Sequence, residues 1–341
     1  MTLPSQSQRN RSEESESTEA DGKGQAYARL SPADRDYLDQ LKAEPLIGSF
    51  SVEEERARMR KGQTADVRGF AVCVEVYETS ACSVHIIRPF QPTGALPITF
   101  YIHGGGWTLG DLKTHTKLVC ELALRSQSAV AFIEFPLAPE YTYPAPLEGC
   151  ISAIAEVLNA APSLELDNTR CGFVGDSSGG NLCVAYALLA RERGLFLPRT
   201  QVLLYPAADA SLSLPSHLHF ADNPNLGQKT MEWFWSNYSP DPSTREMATV
   251  SPLFAGDEAF AAFPQTLIIS CEYDILRDEA EQLAAHLIRA GVEVIAVRWL
   301  GALHGFVVNE ALSSSAAARA CVDLVAQHLI AAYADHPRGS R

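Results

Sequence analysis

Short apolar runs alternate with amphipathic stretches over most of this chain. Eight of the runs are rich in β-branched residues and indicate strands, and five helical stretches lie between the later ones. Parallel strands must be joined by a crossover connection, which is usually a helix. The sequence therefore predicts an α/β fold with a mostly parallel eight-stranded sheet and flanking helices. The strands are predicted at Val72–Tyr77, Ser83–Arg88, Pro97–Ile102, Val130–Glu134, Cys171–Gly175, Gln201–Tyr205, Thr266–Cys271 and Val292–Trp299, and the helices at 114–126, 146–160, 179–193, 278–290 and 315–333.

Both ends of the chain lack this pattern. Residues 1–26 are rich in Ser, Gln, Glu and Arg and have too little apolar surface to offset the entropy of ordering, which predicts a disordered tail. Residues 334–341 are predicted to be a flexible tail. Within residues 27–70, a capping hydroxyl at Ser31 and a capping box that begins at Ser51 predict two helices before the first strand.

A proline-rich and aromatic segment interrupts the alternation at residues 207–245. A connection this long inside a compact domain is usually functional. We therefore predict that this inserted segment and the N-terminal helices of residues 27–70 form a helical cap above the sheet. Residues 71–206 and 246–333 then form the α/β catalytic domain.

The charge and the cysteine pattern exclude several kinds of partner. A formal net charge of -14 over 341 residues opposes binding to nucleic acid, since that affinity comes mainly from Lys and Arg. The eight cysteines include no C-x-x-C pair, which predicts free thiols and neither a disulfide framework nor a metal site. No stretch is long enough to span a bilayer and no secretory signal is evident, so we expect a cytoplasmic protein without stable membrane insertion.

A glycine-rich turn follows the predicted strand Cys171–Gly175 and opens the next helix. Its sequence, Gly175-Asp176-Ser177-Ser178-Gly179, matches the G-x-S-x-G pattern of a nucleophile turn. Such a turn needs glycines because neighbouring segments approach closely, and it lifts the serine hydroxyl out of the sheet. Ser177 is therefore the candidate nucleophile. The alternative is a serine that only caps the helix.

A serine hydroxyl needs a base to remove its proton, and that base needs a carboxylate to fix its tautomer. Of nine histidines, His304 alone lies downstream in a loop just past a predicted strand, so it is the candidate base; a structural histidine is the alternative. Asp274 follows the strand Thr266–Cys271 and fits the chain order Ser, acid, His. Asp278 and Glu272 are weaker rivals. Asp278 fits the N-cap of the next helix better, and Glu272 lies closer to the strand.

Three consecutive glycines follow the predicted strand Pro97–Ile102, in the segment His103-Gly104-Gly105-Gly106-Trp107. Glycines leave backbone N–H groups uncovered, and such groups can hold a developing oxyanion. The N–H of Ser178 is expected to be the other donor, whereas His103 is expected to brace the loop.

Together these motifs resemble those of the hormone-sensitive-lipase-like branch of the α/β-hydrolases, the bacterial family IV carboxylesterases. The resemblance covers about residues 30–333. It implies an ester hydrolase with an N-terminal and an inserted cap, no cofactor, and Gly105, Gly106 and Ser178 as the oxyanion donors. The motifs that carry it are HGGGW at 103–107, LAPEYTYPAP at 137–146, GDSSGG at 175–180, LLYP at 203–206, YDILRDEA at 273–280 and HGF at 304–306.

Two positions depart from the family pattern. Ser178 stands where alanine is frequent, and Phe135-Pro136 stands where Tyr-Arg is frequent. The first departure is expected to matter little because the donor is a backbone N–H. The second is expected to alter the packing of a loop near the site.

The motifs predict a serine carboxylesterase that works through an acyl-enzyme intermediate. It is expected to hydrolyse short-chain acyl esters, because a bulky aromatic cap leaves limited room for the acyl chain; the alternative for Trp233, Phe234 and Trp235 is plain packing within the cap. Its partner is then a small-molecule ester, and a homodimer through the edge strand Val292–Trp299 is a further expectation. Two alternatives stay open: an amidase, lactonase or deacetylase acting on a specific natural product, and a non-catalytic small-molecule receptor on the same fold. The presence of His304 counts against the receptor.

Overall fold

The computed structural model describes residue 27, residues 29–92 and residues 94–334. The tail predicted at residues 1–26 lies outside the described residues, as does the C-terminal tail from residue 335 onward. The described chain contains an eight-stranded sheet flanked by helices, and the predicted α/β fold is confirmed. The strands are β1, Val72–Glu78; β2, Ser83–Pro89; β3, Leu96–Ile102; β4, Ala129–Ile133; β5, Leu166–Asp176; β6, Thr200–Leu204; β7, Gln265–Tyr273; and β8, Val294–Leu303.

The strands lie in the order β1-β2-β4-β3-β5-β6-β7-β8. β2 pairs antiparallel with β1 and with β4, and every pair from β4 to β8 is parallel. The parallel strands therefore end at one edge of the sheet, which is where such sheets carry their ligands. β8 is longer than predicted because Leu303 pairs with Tyr273 beyond a register shift in β7, a tertiary contact without a local sequence signal.

Helices cover the sheet as the alternation predicts. The helices are α1, Pro32–Lys42; α2, Val52–Lys61; α3, Leu112–Ser126; α4, Ala145–Ala160; α5, Ser178–Arg193; α6, Pro215–His219; α7, Gln228–Tyr238; α8, Arg277–Arg289; α9, Glu310–Ser313; and α10, Ala316–Tyr333. Helix α3 packs beside α10, and α4 packs beside α5.

The capping signals of the N-terminal helices are borne out. Ser31 accepts a hydrogen bond from a backbone N–H of α1, and Ser51 forms the predicted capping box with Glu54 at the start of α2. The prediction that Asp278 caps the helix after β7 is wrong. α8 begins at Arg277 with Leu276 as its N-cap, and the Asp278 carboxylate accepts instead from the backbone N–H of Ser216.

The core lies on both faces of the central strands. β3 and β4 are buried along their whole length because helices cover each face, whereas the edge strands β1 and β8 are partly exposed. All eight cysteines are free thiols, as predicted, and six of them are buried. Among the described residues, no cluster of His, Cys, Asp and Glu could hold a metal ion, and no helix is long and apolar enough to cross a membrane.

The turn from β5 to α5 brings the helix into contact with the end of β3. Ser177 occupies this turn with a φ of 52°, a conformation that costs a non-glycine residue free energy and persists only when the surroundings enforce it. A side chain on Gly179 would overlap the carbonyl group of Ile102, and one on Gly175 would overlap the backbone of Gly179. The glycines are therefore required by close backbone packing rather than by chain flexibility.

Gly179→Ala is expected to lower the free energy of unfolding by at least about 3 kcal/mol, because the added methyl group meets backbone that cannot move without shifting β3. Gly69→Ala is the matched control. No atom lies within 4 Å of a Cβ at Gly69, so its effect is expected to stay within about 0.5 kcal/mol. Urea unfolding followed by circular dichroism measures both, and equal stabilities for the two variants would contradict this account of the turn.

Candidate active site

The Ser177 hydroxyl lies at the carboxyl edge of the sheet, held there by its own backbone. Its N–H donates to the carbonyl of Leu204 at 2.8 Å, and its carbonyl accepts from the N–H of Ala207 at 3.2 Å. The Oγ atom lies 3.0 Å from Nε2 of His304. The strained turn and the loop after β6 therefore place the hydroxyl within hydrogen-bond distance of an imidazole.

His304 connects Ser177 to a buried carboxylate. Its Nδ1 lies 2.8 Å from Oδ2 of Asp274, whose side chain is fully buried. The other carboxylate oxygen accepts the backbone N–H of Leu276 at 2.9 Å, which fixes its orientation. An ionised carboxylate only accepts, so the imidazole proton lies on Nδ1 and Nε2 is left to accept from the serine hydroxyl. The three predicted side chains thus meet in one hydrogen-bonded row.

The rival acids point elsewhere. Glu272 pairs with Arg29 at 2.6 Å and accepts the backbone N–H of Gly301 at 2.8 Å. Asp278 pairs with Arg277 and accepts from the backbone N–H of Ser216, at 2.8 Å in each case. Both carboxylates are occupied in fixing neighbouring backbone segments.

The three-glycine loop folds back beside the nucleophile turn. Gly105 and Gly106 have φ values of 109° and 60°, in the region that favours glycine. A side chain on Gly105 would overlap the carbonyl of Leu109, and one on Gly106 would overlap the ring of Phe234. Ser178 is the first residue of α5, so its N–H has no partner within the helix.

The Ser178 hydroxyl has a role that the sequence did not reveal. Its Oγ accepts the backbone N–H of Trp107 at 3.1 Å, which ties the start of α5 to the glycine loop. Alanine at this position could not make this contact, so the serine side chain contributes to the loop, whereas the role of the Ser178 N–H as an oxyanion donor stays a prediction. At the second departure from the family pattern, Phe135 stacks on His103 with ring centroids 4.4 Å apart, and Pro136 packs against Gly149.

Comparison with known proteins agrees with this arrangement. A family model described as the alpha/beta hydrolase fold matches residues 99–308. The chain belongs to the α/β-hydrolase fold family. It lies in the hormone-sensitive-lipase-like branch that its motifs predict.

Two relatives and one solved structure illustrate the similarity. A carboxylesterase of Mycobacterium tuberculosis is 37% identical over 276 residues, which cover 79% of this chain and 86% of the relative. An ethyl acetate hydrolase of Pseudomonas putida is 35% identical over 226 residues, 65% of this chain and 70% of the relative. The crystal structure of a thermostable esterase from Pseudomonas putida superposes with a TM-score of 0.85 at 30% identity, covering 90% of this chain and 98% of the other.

This α/β-hydrolase carries a buried carboxylate directly before its serine. Oδ1 of Asp176 accepts the backbone N–H of Gly104 and the hydroxyl of Tyr101, each at 2.8 Å, and lies 3.4 Å from Nε2 of His115. Burial alone would raise the pKa of Asp176, but the neighbouring His115 and these hydrogen bonds outweigh it and lower the pKa below its ordinary value. The carboxylate therefore anchors the glycine loop to the nucleophile turn.

His103 contributes to the same loop as a packed side chain, as predicted. Its ring stacks on Phe132 with centroids 5.2 Å apart, and Nδ1 lies 2.8 Å from the carbonyl oxygen of Gly104. Burial lowers the pKa of His103, which keeps the ring neutral at neutral pH. The residue therefore supports the loop through its packing against Phe132 and its contact with Gly104.

A cavity of about 460 Å³ opens above Ser177 and His304. Its walls come from the glycine loop, from α1 and α2, and from Phe234 on α7. The next residue on α7, Trp235, packs on the Trp107 ring, which also stacks on Tyr238 at 4.4 Å and an interplanar angle of 4°. The aromatic segment thus lies directly on the glycine loop and closes the cavity on that side.

Asp176→Ala is expected to lower the free energy of unfolding at pH 7 by about 2 to 4 kcal/mol, because two buried donors, the Tyr101 hydroxyl and the Gly104 N–H, lose their acceptor. Asp176→Asn is the matched control, since its amide oxygen can still accept both. Its loss is expected to be about 1 kcal/mol. Urea unfolding measures both, and equal losses would mean that the acceptor is not what holds the loop.

The lowered pKa of Asp176 also predicts that its contribution to stability depends on pH. The folded pKa of Asp176 is lowered, so its carboxylate stabilises the fold above the unfolded pKa of about 3.9 and loses this effect as the pH falls through the folded pKa. The stability difference between the wild type and Asp176→Asn should therefore shrink as the pH is lowered below about 4. A stability difference that stays constant until the protein unfolds in acid would contradict this prediction.

Proposed function

We propose that this chain is a serine carboxylesterase that hydrolyses short-chain acyl esters through an acyl-enzyme intermediate. The observation that carries the proposal is the row from Ser177 through His304 to Asp274, with separations of 3.0 and 2.8 Å, at the floor of a cavity beside a glycine loop. Relatives named carboxylesterase and ethyl acetate hydrolase support the same chemistry.

In the proposed reaction, the Ser177 hydroxyl attacks the ester carbonyl while Nε2 of His304 takes its proton. The Asp274 carboxylate accepts from Nδ1 and stabilises the imidazolium that forms. His304 then protonates the departing alcohol, and an acyl-serine ester remains. Water, activated by the same imidazole, attacks this ester and releases the acid, so the enzyme needs no cofactor.

Negative charge develops on the carbonyl oxygen during the attack. We assign its stabilisation to the backbone N–H groups of Gly105, Gly106 and Ser178. The Ser178 N–H stands at the start of α5, where the helix dipole also favours negative charge. Donors of this kind each contribute about 10² to 10³ in kcat, because they are oriented before the reaction begins. Asp176 and the Ser178 hydroxyl keep these donors in place through Gly104 and Trp107.

The short-chain preference is assigned to Phe234. Its ring covers Gly106 and lines the cavity, whereas Trp235 packs on Trp107 and Trp233 packs over Gly48 on the outer side of α7. Of the three aromatic residues, Phe234 is thus the one placed to meet the substrate. Residues 27–70 and 207–245 are proposed to act as the cap. A cytoplasmic location and a homodimer through the exposed edge of β8 stay predictions.

Ser177→Ala is expected to lower kcat for p-nitrophenyl butyrate by at least about 10⁴-fold, and His304→Ala by a similar factor. The double variant should lose no further activity, because the two residues act as one unit.

A fluorophosphonate should add one adduct to the wild type, located on Ser177 by mass spectrometry. Ser163→Ala, which changes an exposed serine after α4, is the control and should label normally. An adduct that persists on Ser177→Ala would defeat the nucleophile assignment.

Phe234→Ala should broaden the acyl preference. The wild type is expected to prefer p-nitrophenyl acetate and butyrate to palmitate, and the variant to raise kcat/KM for long chains relative to acetate by about tenfold, since space for added methylenes decides such discrimination. Trp233→Ala, which removes a neighbouring ring outside the cavity, should leave the ratio unchanged. A wild-type preference for palmitate would contradict the short-chain proposal, and faster cleavage of butyranilide than of the ester would favour the amidase alternative.

A further inference from the structure

A second buried acid, Glu279, lies behind the Ser177–His304–Asp274 row on the first turn of α8. Its side chain is fully buried. Oε2 accepts the backbone N–H groups of Ala208 and Asp209, the latter at 2.6 Å, and Oε1 lies 2.9 Å from Nε2 of His217. Three donors from two separate segments therefore converge on one carboxylate that the proposed chemistry does not use.

The imidazole of His217 has its tautomer fixed by the backbone. Its Nδ1 accepts the N–H of Leu214 at 3.0 Å, so the ring proton of the neutral form lies on Nε2 and is donated to Glu279. Burial raises the pKa of Glu279 to about 7, against the opposing effect of its hydrogen bonds with His217 and the Ala208 N–H. The three hydrogen-bond partners of Glu279 are all donors, and together they use both of its carboxylate oxygens as acceptors.

The backbone that Glu279 holds on one side supports the nucleophile. Ala208 follows Ala207, whose N–H donates to the carbonyl of Ser177 and whose carbonyl accepts from Asn181 at 3.1 Å. The same loop begins at Tyr205, whose ring meets the imidazole of His304 edge-on with centroids 4.7 Å apart. A shift of this loop would therefore reach the serine and the histidine together.

Glu279 also lies between the turn after Asp274 and the inserted segment of residues 207–245. It stands five residues after Asp274, whose carboxylate accepts from the N–H of Leu276 in the intervening turn. His217 belongs to α6, and its neighbour Ser216 donates from Oγ to the carbonyl of Ile275 at 2.7 Å. The turn that orients the acid is thus bonded to the inserted segment at adjacent points.

We propose that Glu279 is a positioning residue: its carboxylate holds the loop after β6, the inserted helix α6 and the turn that carries Asp274 at the spacing that lets Ser177, His304 and Asp274 react. The inference rests on the proposed esterase function for its kinetic readout. Glu279 acts through its contacts with the backbone and with His217, and it does not line the cavity above Ser177.

Glutamine is the informative substitution because it keeps the size of the side chain and removes one acceptor. Its amide nitrogen would face either the Nε2–H of His217 or the N–H groups of Ala208 and Asp209, donor against donor. His217 cannot resolve the conflict by moving its proton to Nδ1 without losing the Leu214 N–H. Either orientation therefore releases one of the segments that Glu279 holds.

Glu279→Gln is expected to lower kcat for p-nitrophenyl acetate by about tenfold or more, with KM changed less than about twofold, because misplacement of reacting groups by 1 Å costs up to about 10² in rate. The rate of Ser177 phosphonylation by a fluorophosphonate should fall by the same factor. Kinetics are measured per titrated active site, well below the melting temperature of each variant. If Glu279→Gln does not fold, His217→Leu replaces it, since this variant keeps the two backbone contacts, and a smaller loss of the same kind is expected.

The matched control is Tyr333→Phe, which removes a buried hydroxyl at the opposite end of the sheet. Tyr333 bonds to Thr99 at 2.8 Å and to the carbonyl of Ile98 at 3.2 Å, near the start of β3. This variant should lower the melting temperature and leave kcat and the phosphonylation rate unchanged. The proposal is overturned if Glu279→Gln lowers the melting temperature but keeps both rates within about twofold of the wild type. It is also overturned if only KM changes.

Failure of the esterase proposal would be seen separately. A wild type that hydrolyses no ester would refute the proposed function, while the phosphonylation rate would still report whether Glu279 positions the serine. An equal phosphonylation rate in the wild type and Glu279→Gln would refute the positioning role alone.

Discussion

The contact between the first turn of α5 and the end of β3 is the constraint on which the site depends. At Gly179 the helix lies so close to the carbonyl of Ile102 that no side chain fits between them. This closeness forces the strained turn at Ser177 and places the glycine loop, which continues from β3, beside the nucleophile. Parallel strands ending at the same edge then bring in Asp274, which follows β7, and His304, which follows β8. A looser contact would separate the hydroxyl from the N–H donors proposed to serve it.

Buried carboxylates fix the loops around this contact. Asp176, Asp274 and Glu279 are each removed from water, which is costly for a charge, and each makes hydrogen bonds with a distant segment that offset part of that cost. Because each acid carries two oxygens, one side chain can hold two segments at a defined spacing. These three carboxylates therefore hold the loops together at the edge of the sheet, and the apolar core of the sheet and its helices keeps the strands that carry those loops in place.

The sequence predicted the elements and the row of three side chains because both depend on local pattern and chain order. Strand alternation, capping hydroxyls and glycine spacing are local, and His304 stood out by its position after a strand. The contacts that the sequence did not reveal join residues far apart: Asp176 meets Gly104, and Glu279 meets Ala208, about 70 residues away in each case. The wrong N-cap at Asp278 has the same cause, since its carboxylate is taken by the inserted segment rather than by its own helix. Single-chain periodicity carries no information about such pairs.

The segments proposed as a cap make direct contacts with the loops around Ser177, so they are not joined to the catalytic domain by chain connections alone. Arg56 on α2 donates to the carbonyls of Thr108 and Ala138, next to the glycine loop, at 2.9 and 3.0 Å. Phe234 rests on Gly106, and α6 reaches Glu279. Any substitution that moves the cap must therefore also move a loop that places a donor or a reacting group. If the cap selects the substrate as proposed, substrate selection and the chemical step share their supports, so a substitution in the cavity wall itself is expected to alter kcat as well as KM.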